Sequence, residues 1–234
     1  MKADAQLSTN VAFLSCVEAV DRIRAGSTLM VGGFGITGIP EMLLGEMCRR
    51  PELGDFTIIS NNFSLKSNLH KLFEQGKIRK GIGTYFTTSP MVVRAHREGR
   101  LDIELLPQGT FAEAIRLGGS GIPAFYTPTG AGTELARGKE ARMYDGVECV
   151  LERTLTADVA LIRAHKADKA GNIVYRKSAR NFNPLMAAAA RLTIAEVDDI
   201  VEVGELDSES IATPFIFVDI IVKRGDQTGY STEN

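Results

Sequence analysis

The sequence predicts an α/β fold: a layered, mostly parallel sheet with helices on both sides. Between Ser15 and Gly118, short apolar runs alternate with stretches whose apolar residues recur at helical spacing, and helix-start signals stand at their boundaries. Such alternation implies right-handed crossovers and parallel pairing of strands. A chain of 234 residues can bury one large core without disulfides, so residues 1–234 are expected to form a single domain.

Local signals place the elements of the first half. Capping boxes, in which Ser or Thr is followed by Glu three residues later, are predicted at Ser15–Glu18 and Thr110–Glu113. Ser89-Pro90 predicts a cap followed by proline in the first helical position. In order, the predicted elements are helix 15–26, strand 28–31, helix 40–50, strand 56–60, helix 65–75, strand 78–86, helix 89–99, strand 102–106 and a helix from 110.

The second half is expected to be richer in strands. Residues 118–146 are full of glycine, proline and threonine and predict a long irregular segment, which is typical of a functional or covering loop. Strands are predicted at 148–155, 159–165, 173–177, 193–197 and 215–222, with an alanine-rich helix at 184–192. The apolar window PFIFVDIIV is interpreted as a buried strand, and the acids between Glu196 and Glu209 as a solvated face.

Composition excludes several kinds of protein. A net charge of -2 argues against a nucleic-acid partner. No apolar segment near the start predicts a signal peptide, and no window is long enough to span a bilayer, so a cytoplasmic protein without a membrane partner is expected. The cysteines lack a CxxC pair and are interpreted as free thiols in a reducing compartment. The three histidines are scattered, so no metal site is expected.

Residues 32–38, here called the glycine loop, hold four glycines within VGGFGITGIP. The spacing G-x-G-x-x-G after a strand is typical of dinucleotide-binding turns. That interpretation fails because Pro40 favours a helix start beyond the last glycine, and because the next strand ends in Asn61 and Asn62 rather than in an acid. The glycines instead predict backbone N–H groups that approach another ligand closely, with a tight structural turn as the alternative.

Five blocks of the sequence resemble one family, in that family's order. The glycine loop, as GGFGITGIPE, is similar to the first signature of the family I coenzyme A transferases that use 3-oxoacids. The other blocks are LPQGT at 106–110, AFYTPTG at 124–130, DVALIRA at 158–164 and RKSARNFNP at 176–184. The resemblance runs from about Val17 to Val222, and it is specifically to the A (alpha) subunit or to the N-terminal half of fused forms.

The resemblance implies a reaction shared between two chains. In this family a glutamate of the B subunit, in a Ser-Glu-Asn-Gly segment, attacks an acyl-CoA thioester, and the resulting glutamyl-CoA thioester passes CoA to an acceptor acid. This chain lacks that segment, and its terminal STEN is only an echo of it. The implied protein is the alpha subunit of an A2B2 heterotetramer with a sheet fold shared with sugar-phosphate isomerases. It would move CoA between succinyl-CoA and acetoacetate, 3-oxoadipate or another short carboxylic acid.

The resemblance also implies site residues, with CoA thioester as a substrate and no permanently bound cofactor. Asn61 and Asn62 are expected to orient a carboxylate or thioester oxygen, and Gln108 is expected near the acyl group; all three follow predicted strands, where α/β sheets place their sites. An Asx turn is the alternative for the asparagines. The residues expected to contact CoA are Gly32, Gly33, Phe34, Gly35, Ile36, Thr37 and Gly38.

Several interpretations stay open at this point. Arg176, Lys177 and Arg180 either meet CoA phosphates or form a solvated basic segment. Asn181 and Asn183 are interpreted as ordering the helix start that follows them. The alternative functions are a stand-alone sugar-phosphate isomerase, which needs an acid and a base beside a phosphate cradle, and a module that senses acyl-CoA.

Overall fold

The computed structural model describes residues 11–225. The helices are α1 (Cys16–Val20), α2 (Glu41–Arg49), α3 (Asn68–Glu74), α4 (Pro90–Arg97), α5 (Gln108–Gly119) and α6 (Asn183–Ala188). The strands are β1 (Ala12–Phe13), β2 (Thr28–Val31), β3 (Phe56–Ile59), β4 (Ile78–Gly83), β5 (Asp102–Leu105), β6 (Ala124–Thr127), β7 (Ala141–Tyr144), β8 (Val147–Arg153), β9 (Ala157–Arg163), β10 (Lys166–Asp168), β11 (Ile173–Val174), β12 (Ala190–Val197), β13 (Asp199–Val201) and β14 (Ile220–Lys223). Short 3-10 helices cover Glu134–Ala136, Lys177–Arg180, Ser208–Ser210 and Phe215–Phe217.

A parallel sheet of eight strands forms the centre, in the order β1-β14-β12-β9-β2-β3-β4-β5. Strands β2 to β5 step towards one edge, whereas β9, β12 and β14 step towards the other. The direction of winding therefore reverses between β2 and β9. Open α/β sheets bind ligands outside the carboxyl ends of their strands at such a reversal. The glycine loop follows β2 at this place.

Both faces of the sheet are covered, as predicted. Leu29 and Val31 of β2 belong to the apolar core beneath α1, α2, α3 and α4, whereas Met30 belongs to the core beneath α5 and α6. Side chains alternate between the two faces of a strand, so β2 contributes to both cores. Strand β3 is buried at every position, which is typical of a parallel sheet covered on both sides.

Residues 118–146 are not irregular throughout, so that prediction was wrong. Strands β6 and β7 lie within the segment and pair with β8 in an antiparallel sheet of order β6-β8-β7. Gly130, Gly132 and Gly138 sit at positive φ in the turns that separate these strands. Turn residues so close together hide four-residue strands from prediction by sequence pattern. In the third sheet, β11-β10-β13, strand β11 falls within the strand predicted at 173–177, whereas β10 and β13 were not predicted.

The two predicted capping boxes had different outcomes. At the start of α1, the Ser15 side chain accepts the backbone N–H of Glu18, and the Glu18 side chain accepts the backbone N–H of Ser15, so this capping box is present. The box at Thr110–Glu113 is absent, because α5 already begins at Gln108 with Pro107 at its N-cap. Thr110 is therefore inside the helix, where its buried Oγ1 has no hydrogen-bond partner within residues 11–225.

Several element boundaries also differ from prediction; α1, for example, ends at Val20 rather than near residue 26, and α6 ends at Ala188 rather than at 192. The window PFIFVDIIV is a 3-10 helix followed by β14, and Ile216 is 67% exposed, so only its second half is a buried strand. Helix α2 begins at Glu41, with Pro40 at the N-cap rather than at the first helical position. Among the described residues, no helix is both long enough and apolar enough to cross a membrane.

Candidate active site

Three neighbouring strands are followed by uncharged polar side chains, here called the amide cluster: Asn61 after β3, Thr84 after β4 and Gln108 after β5. The buried Asn61 donates from Nδ2 to Thr84 Oγ1 at 2.8 Å and to Gln108 Oε1 at 3.4 Å. Thr84 donates in return to the Asn61 carbonyl oxygen at 3.1 Å. The predicted residues Asn61 and Gln108 are thus in contact, although 47 positions separate them in the chain.

Thr84 is a member of this cluster that the sequence did not single out. Its hydroxyl fixes the direction of the Asn61 amide. The Gln108 carbonyl oxygen faces Asn61, so the Gln108 NH2 group is left without an acceptor within residues 11–225. The predicted strand extended to Phe86, whereas β4 ends at Gly83. This misplaced boundary concealed Thr84 as a residue at a strand end.

Asn62 lies next to the amide cluster but contacts a different part of the site. Its Oδ1 lies 2.8 Å from Ser64 Oγ, and the same Oγ lies 2.5 Å from the carbonyl oxygen of Gly35. One hydroxyl proton serves one of these acceptors at a time. Asn62 is therefore connected with the glycine loop rather than with Gln108, and Ser64 is a second residue that the sequence did not identify.

The tip of the glycine loop is a closed turn. The backbone N–H groups of Phe34 and Thr37 donate to each other's carbonyl oxygens at 2.9 and 3.0 Å. Within the described chain, the N–H groups of Gly35 and Ile36 have no acceptor. Side chains of Phe34 and Ile36 are 48% and 73% exposed. The tip thus presents two N–H donors and an apolar surface to whatever lies outside it.

The other glycines of the loop are explained by packing within the protein. A Cβ atom on Gly32 would lie 1.8 Å from Oδ1 of Asn183, and one on Gly38 would lie 2.8 Å from the carbonyl oxygen of Ala179. A Cβ on Gly33 would lie 2.7 Å from Cγ1 of Ile39. Only Gly35, at φ +59, has open space where its Cβ would be. Close approach of a ligand is therefore a reason for glycine at Gly35 alone.

Asn181 and Asn183, which lie near the start of α6, hold the glycine loop. Asn183 is fully buried, and its Nδ2 donates to the carbonyl oxygen of Gly38 at 3.1 Å. Its Oδ1 accepts the backbone N–H of Arg163 at 2.9 Å. Asn181 donates to the carbonyl oxygen of Thr37 at 3.0 Å. The interpretation that these asparagines only order a helix start was incomplete, because both bind the glycine loop.

Ionisable side chains occupy the opposite side of the loop, at the carboxyl ends of β9, β12 and β14. They form what is here called the charged cluster, made of Arg163, His165, Glu196, Asp198 and Arg224. Asp198 contacts both arginines and His165. Partial burial opposes ionisation of Asp198, but the hydrogen bond and charge of Arg163, together with hydrogen bonds from His165 and Arg224, lower the pKa of this carboxyl.

Glu196 corrects the prediction of a solvated acidic face. It is 1% exposed, whereas Glu202, Glu205 and Glu209 further along are exposed as predicted. Burial raises the pKa of Glu196 to about 7, although Arg163 and hydrogen bonds from the backbone lower it. No sequence signal distinguished Glu196 from the other acids, because it accepts hydrogen bonds from N–H groups more than a hundred positions away in the chain.

A cavity of about 460 Å³ separates the charged cluster from residues 36–38 of the glycine loop and from Ile39, which follows it. Arg176 and Lys177 line its other wall, are exposed, and have no ion-pair partner in the described part of the chain. Lys177 adopts φ +51, which is uncommon for a residue with a side chain. Among residues 11–225, no group of three or more His, Cys, Asp or Glu could hold a metal ion.

Comparisons with known proteins agree with this architecture. The family model described as Coenzyme A transferase matches residues 13–224. The A subunit of the probable succinyl-CoA:3-ketoacid coenzyme A transferase of Bacillus subtilis is 47% identical over 214 residues, covering 91% of this chain and 90% of that protein. The A subunit of the 3-oxoadipate CoA-transferase of Pseudomonas putida is 48% identical over 216 residues, covering 91% and 93%.

A solved structure shares the fold at low identity. An acyl-CoA transferase from Escherichia coli O157:H7, solved as a thioester complex with CoA, superposes with a TM-score of 0.79 at 20% identity. The superposition covers 93% of this chain and 48% of that one, so this chain spans about half its length. The resemblance drawn from the five sequence blocks is confirmed: the chain belongs to the coenzyme A transferase family.

Proposed function

We propose that this chain is the alpha subunit of a heteromeric 3-oxoacid CoA-transferase. It acts with a B subunit, as an A2B2 heterotetramer, and moves CoA between an acyl-CoA such as succinyl-CoA and a 3-oxoacid such as acetoacetate or 3-oxoadipate. Two relatives support this assignment, because they are named as the corresponding subunits of such enzymes and match this chain over nine-tenths of their length. The catalytic nucleophile is a glutamate of the B subunit.

The amide cluster is the observation that carries the proposal. Asn61, Thr84 and Gln108 supply hydrogen-bond donors and acceptors at the edge of the sheet, and none of them is a titrating acid or base near neutral pH. Such a site orients and polarises a carbonyl group while the attacking group comes from elsewhere. An isomerase would need an acid–base pair here, which these three residues do not provide.

The proposed roles follow from the free donors. Attack of a carboxylate on a thioester carbonyl converts its oxygen into an oxyanion, which nearby N–H donors stabilise more strongly than the starting carbonyl. The Gln108 NH2 group and the backbone N–H groups of Gly35 and Ile36 are donors without partners in the described chain. Gln108 and Asn61 steady oxygens around the reacting carbon, and the loop contacts the CoA thioester. Neutral donors also leave the partner glutamate ionised and nucleophilic.

The decisive experiment compares this chain alone with the reconstituted complex. Alone, it should show no CoA transfer from succinyl-CoA to acetoacetate or 3-oxoadipate, and adding a cognate B subunit should restore turnover. Borohydride reduction after incubation with acyl-CoA should modify a glutamate of the B subunit while leaving this chain unmodified. Turnover by this chain alone, or an adduct on one of its glutamates, would contradict the assignment. Native mass measurement checks the A2B2 stoichiometry.

A further inference from the structure

The amino end of α2 is capped by a residue from a distant strand. Pro40 occupies the N-cap position and provides no side-chain acceptor. The N–H groups of Met42 and Leu43 instead donate to Oε2 of Glu196 at 2.8 and 3.2 Å, across 154 and 153 positions of sequence. The first N–H groups of a helix need such an acceptor, and the helix dipole favours a negative one. Glu196 therefore replaces the missing local cap.

The protein keeps this carboxyl group at a cost. The Nε atoms of Arg163 and Arg224 lie 3.6 and 3.4 Å from Oε1 of Glu196, yet Oε1 itself has no hydrogen-bond partner within residues 11–225. The pKa of Glu196 is raised to about 7, so burial destabilises its ionised form more than the two arginines and the N–H groups of α2 stabilise it. A neutral residue would cap the helix without that cost. Groups so perturbed, beside a cavity, occur preferentially at functional sites.

Glu196 also faces the other charged groups of the cavity. Asp198 follows β12 on the same edge, and Glu41 projects from the first turn of α2. The remaining titratable or charged residues that line the cavity are Arg163, His165, Arg176, Lys177 and Arg224. The cations outnumber the acids around Glu196. Arg163 and Arg224 favour its ionised form and so offset part of the increase in pKa that burial causes.

The amino end of α2 continues the chain of the glycine loop on its carboxyl side, where Asn181 and Asn183 also hold the carbonyl oxygens of Thr37 and Gly38. Only Ile39 and Pro40 separate Gly38 from the first helical residue. At the other end of the loop, the N–H of Gly32 donates to the carbonyl oxygen of Leu161 at 2.9 Å. A shift of α2 along its axis would therefore displace the free N–H groups at the tip. Misplacement of catalytic groups by about 1 Å can cost ~10²-fold in rate.

We propose that Glu196 is a positioning residue for CoA transfer: by capping α2 from the end of β12, it fixes where the tip of the glycine loop lies. The inference rests on the proposed function. While Glu196 stays buried, the N–H groups of α2 favour its ionised form, so the cap is strongest above pH 7 and weakens as Glu196 takes up a proton. Complete unfolding also returns Glu196 to water and therefore has the opposite pH dependence.

The test compares Glu196→Gln with the native chain, each in complex with the B subunit, from pH 6 to pH 8.5. At pH 8 the variant should lose about tenfold or more in kcat, while KM for the acceptor acid changes little. The ratio of native to variant kcat should shrink towards one near pH 6, where native Glu196 is mostly protonated. A ratio independent of pH would overturn the proposal.

Glu46→Gln is the matched control. Glu46 is another buried carboxylate of α2, but it pairs with Arg49 and Arg50 towards the far end of the helix. This variant should lower the melting temperature without introducing a pH-dependent change in kcat relative to the native complex. The same kinetic change in both variants would show that α2 stability alone matters, and it would overturn the positioning role.

Hydrogen exchange supplies a readout that needs no activity. In the isolated chain, residues 33–43 should be less protected in Glu196→Gln than in the native protein at pH 8, and the difference should shrink at pH 6. If Glu196→Gln does not fold, Arg224→Gln serves instead. Losing this half-exposed counter-ion should raise the pKa of Glu196, so the midpoint of the pH dependence of kcat should move upwards. An unchanged midpoint and unchanged exchange would overturn the proposal, whereas an inactive native complex would refute only the proposed function.

Discussion

The two sides of the glycine loop differ in how they hold polar groups at one edge of the same sheet. On one side, the amide cluster uses neutral side chains that bond directly to each other. On the other, the charged cluster buries a carboxylate between two arginines and against the end of α2. Neutral groups orient a substrate equally at every pH near 7, whereas the buried carboxylate changes its charge in that range. The comparison predicts that changes on the two sides differ in their pH dependence.

The largest expected effect concerns Gly32, through which the loop packs on Asn183. Gly32→Ala would place a Cβ 1.8 Å from Oδ1 of this buried asparagine, so we expect a loss of roughly 3 kcal/mol in the free energy of unfolding. Gly35→Ala is the control, because apart from its chain neighbours no residue has an atom within 4 Å of its Cβ position. It should cost about 1 kcal/mol from its left-handed backbone. Chemical denaturation measures both, and equal losses would refute the distinction between these glycines.

The second prediction is the pH dependence of stability on the charged side. The folded-state pKa of Glu196, about 7, lies above its ordinary value of 4.5, so folding binds a proton more tightly. This stabilisation is complete below pH 4.5 and is lost as the pH rises through 7. From pH 4.5 to 8, the native chain should therefore lose up to roughly 3 kcal/mol relative to Glu196→Gln.

Denaturation of both proteins at several pH values checks this sign. Asp198 titrates in both proteins with a lowered pKa, so its opposite contribution largely cancels in the difference. A difference in unfolding free energy that does not vary between pH 5 and pH 8 would mean that Glu196 keeps an ordinary pKa.

The third prediction concerns Gln108 on the neutral side. In the complex with the B subunit, Gln108→Ala should lower kcat by about 10²-fold or less, because one donor to the developing oxyanion is lost while Asn61 remains. The partner adduct should still form, only more slowly. Because no titrating group is removed, the ratio of native to variant kcat should stay constant from pH 6 to pH 8.5. If this ratio instead changed with pH around a pKa near 7, the expected difference in pH dependence between the amide cluster and the charged cluster would be refuted.

The smallest effect is expected at Thr84. Thr84→Val keeps the shape of the side chain but removes the hydroxyl that accepts from Asn61 at 2.8 Å. We expect a loss of about 1 kcal/mol in transition-state stabilisation, or roughly fivefold in kcat/KM, because the Asn61 amide is no longer held in one direction. Thr88→Val, on an exposed residue of the same segment, is the control. Equal kinetics in native and Thr84→Val complexes would remove Thr84 from the site.

Local sequence patterns were sufficient where the interactions themselves are local. The Ser15–Glu18 capping box was predicted correctly because both of its hydrogen bonds join residues three positions apart. The box at Thr110 failed although the pattern was present, because α5 begins two residues earlier, after Pro107. Recognition of the site residues depended on where each strand was predicted to end. Asn61 was recognised because it follows β3, whereas Thr84 was overlooked because the predicted strand extended past the end of β4.

By itself, the sequence determined the parallel α/β architecture, the family and the edge of the sheet where Asn61 and Gln108 meet. Alternating strand and helix patterns imply parallel strands joined by crossovers, and parallel strands have all their carboxyl ends at one edge of the sheet. Only the tertiary structure decided that Gly32 packs against Asn183 and that Glu196 caps α2. The energy of a buried carboxylate depends on partners 154 positions away, so residues next to it in the chain carry no sign of its burial.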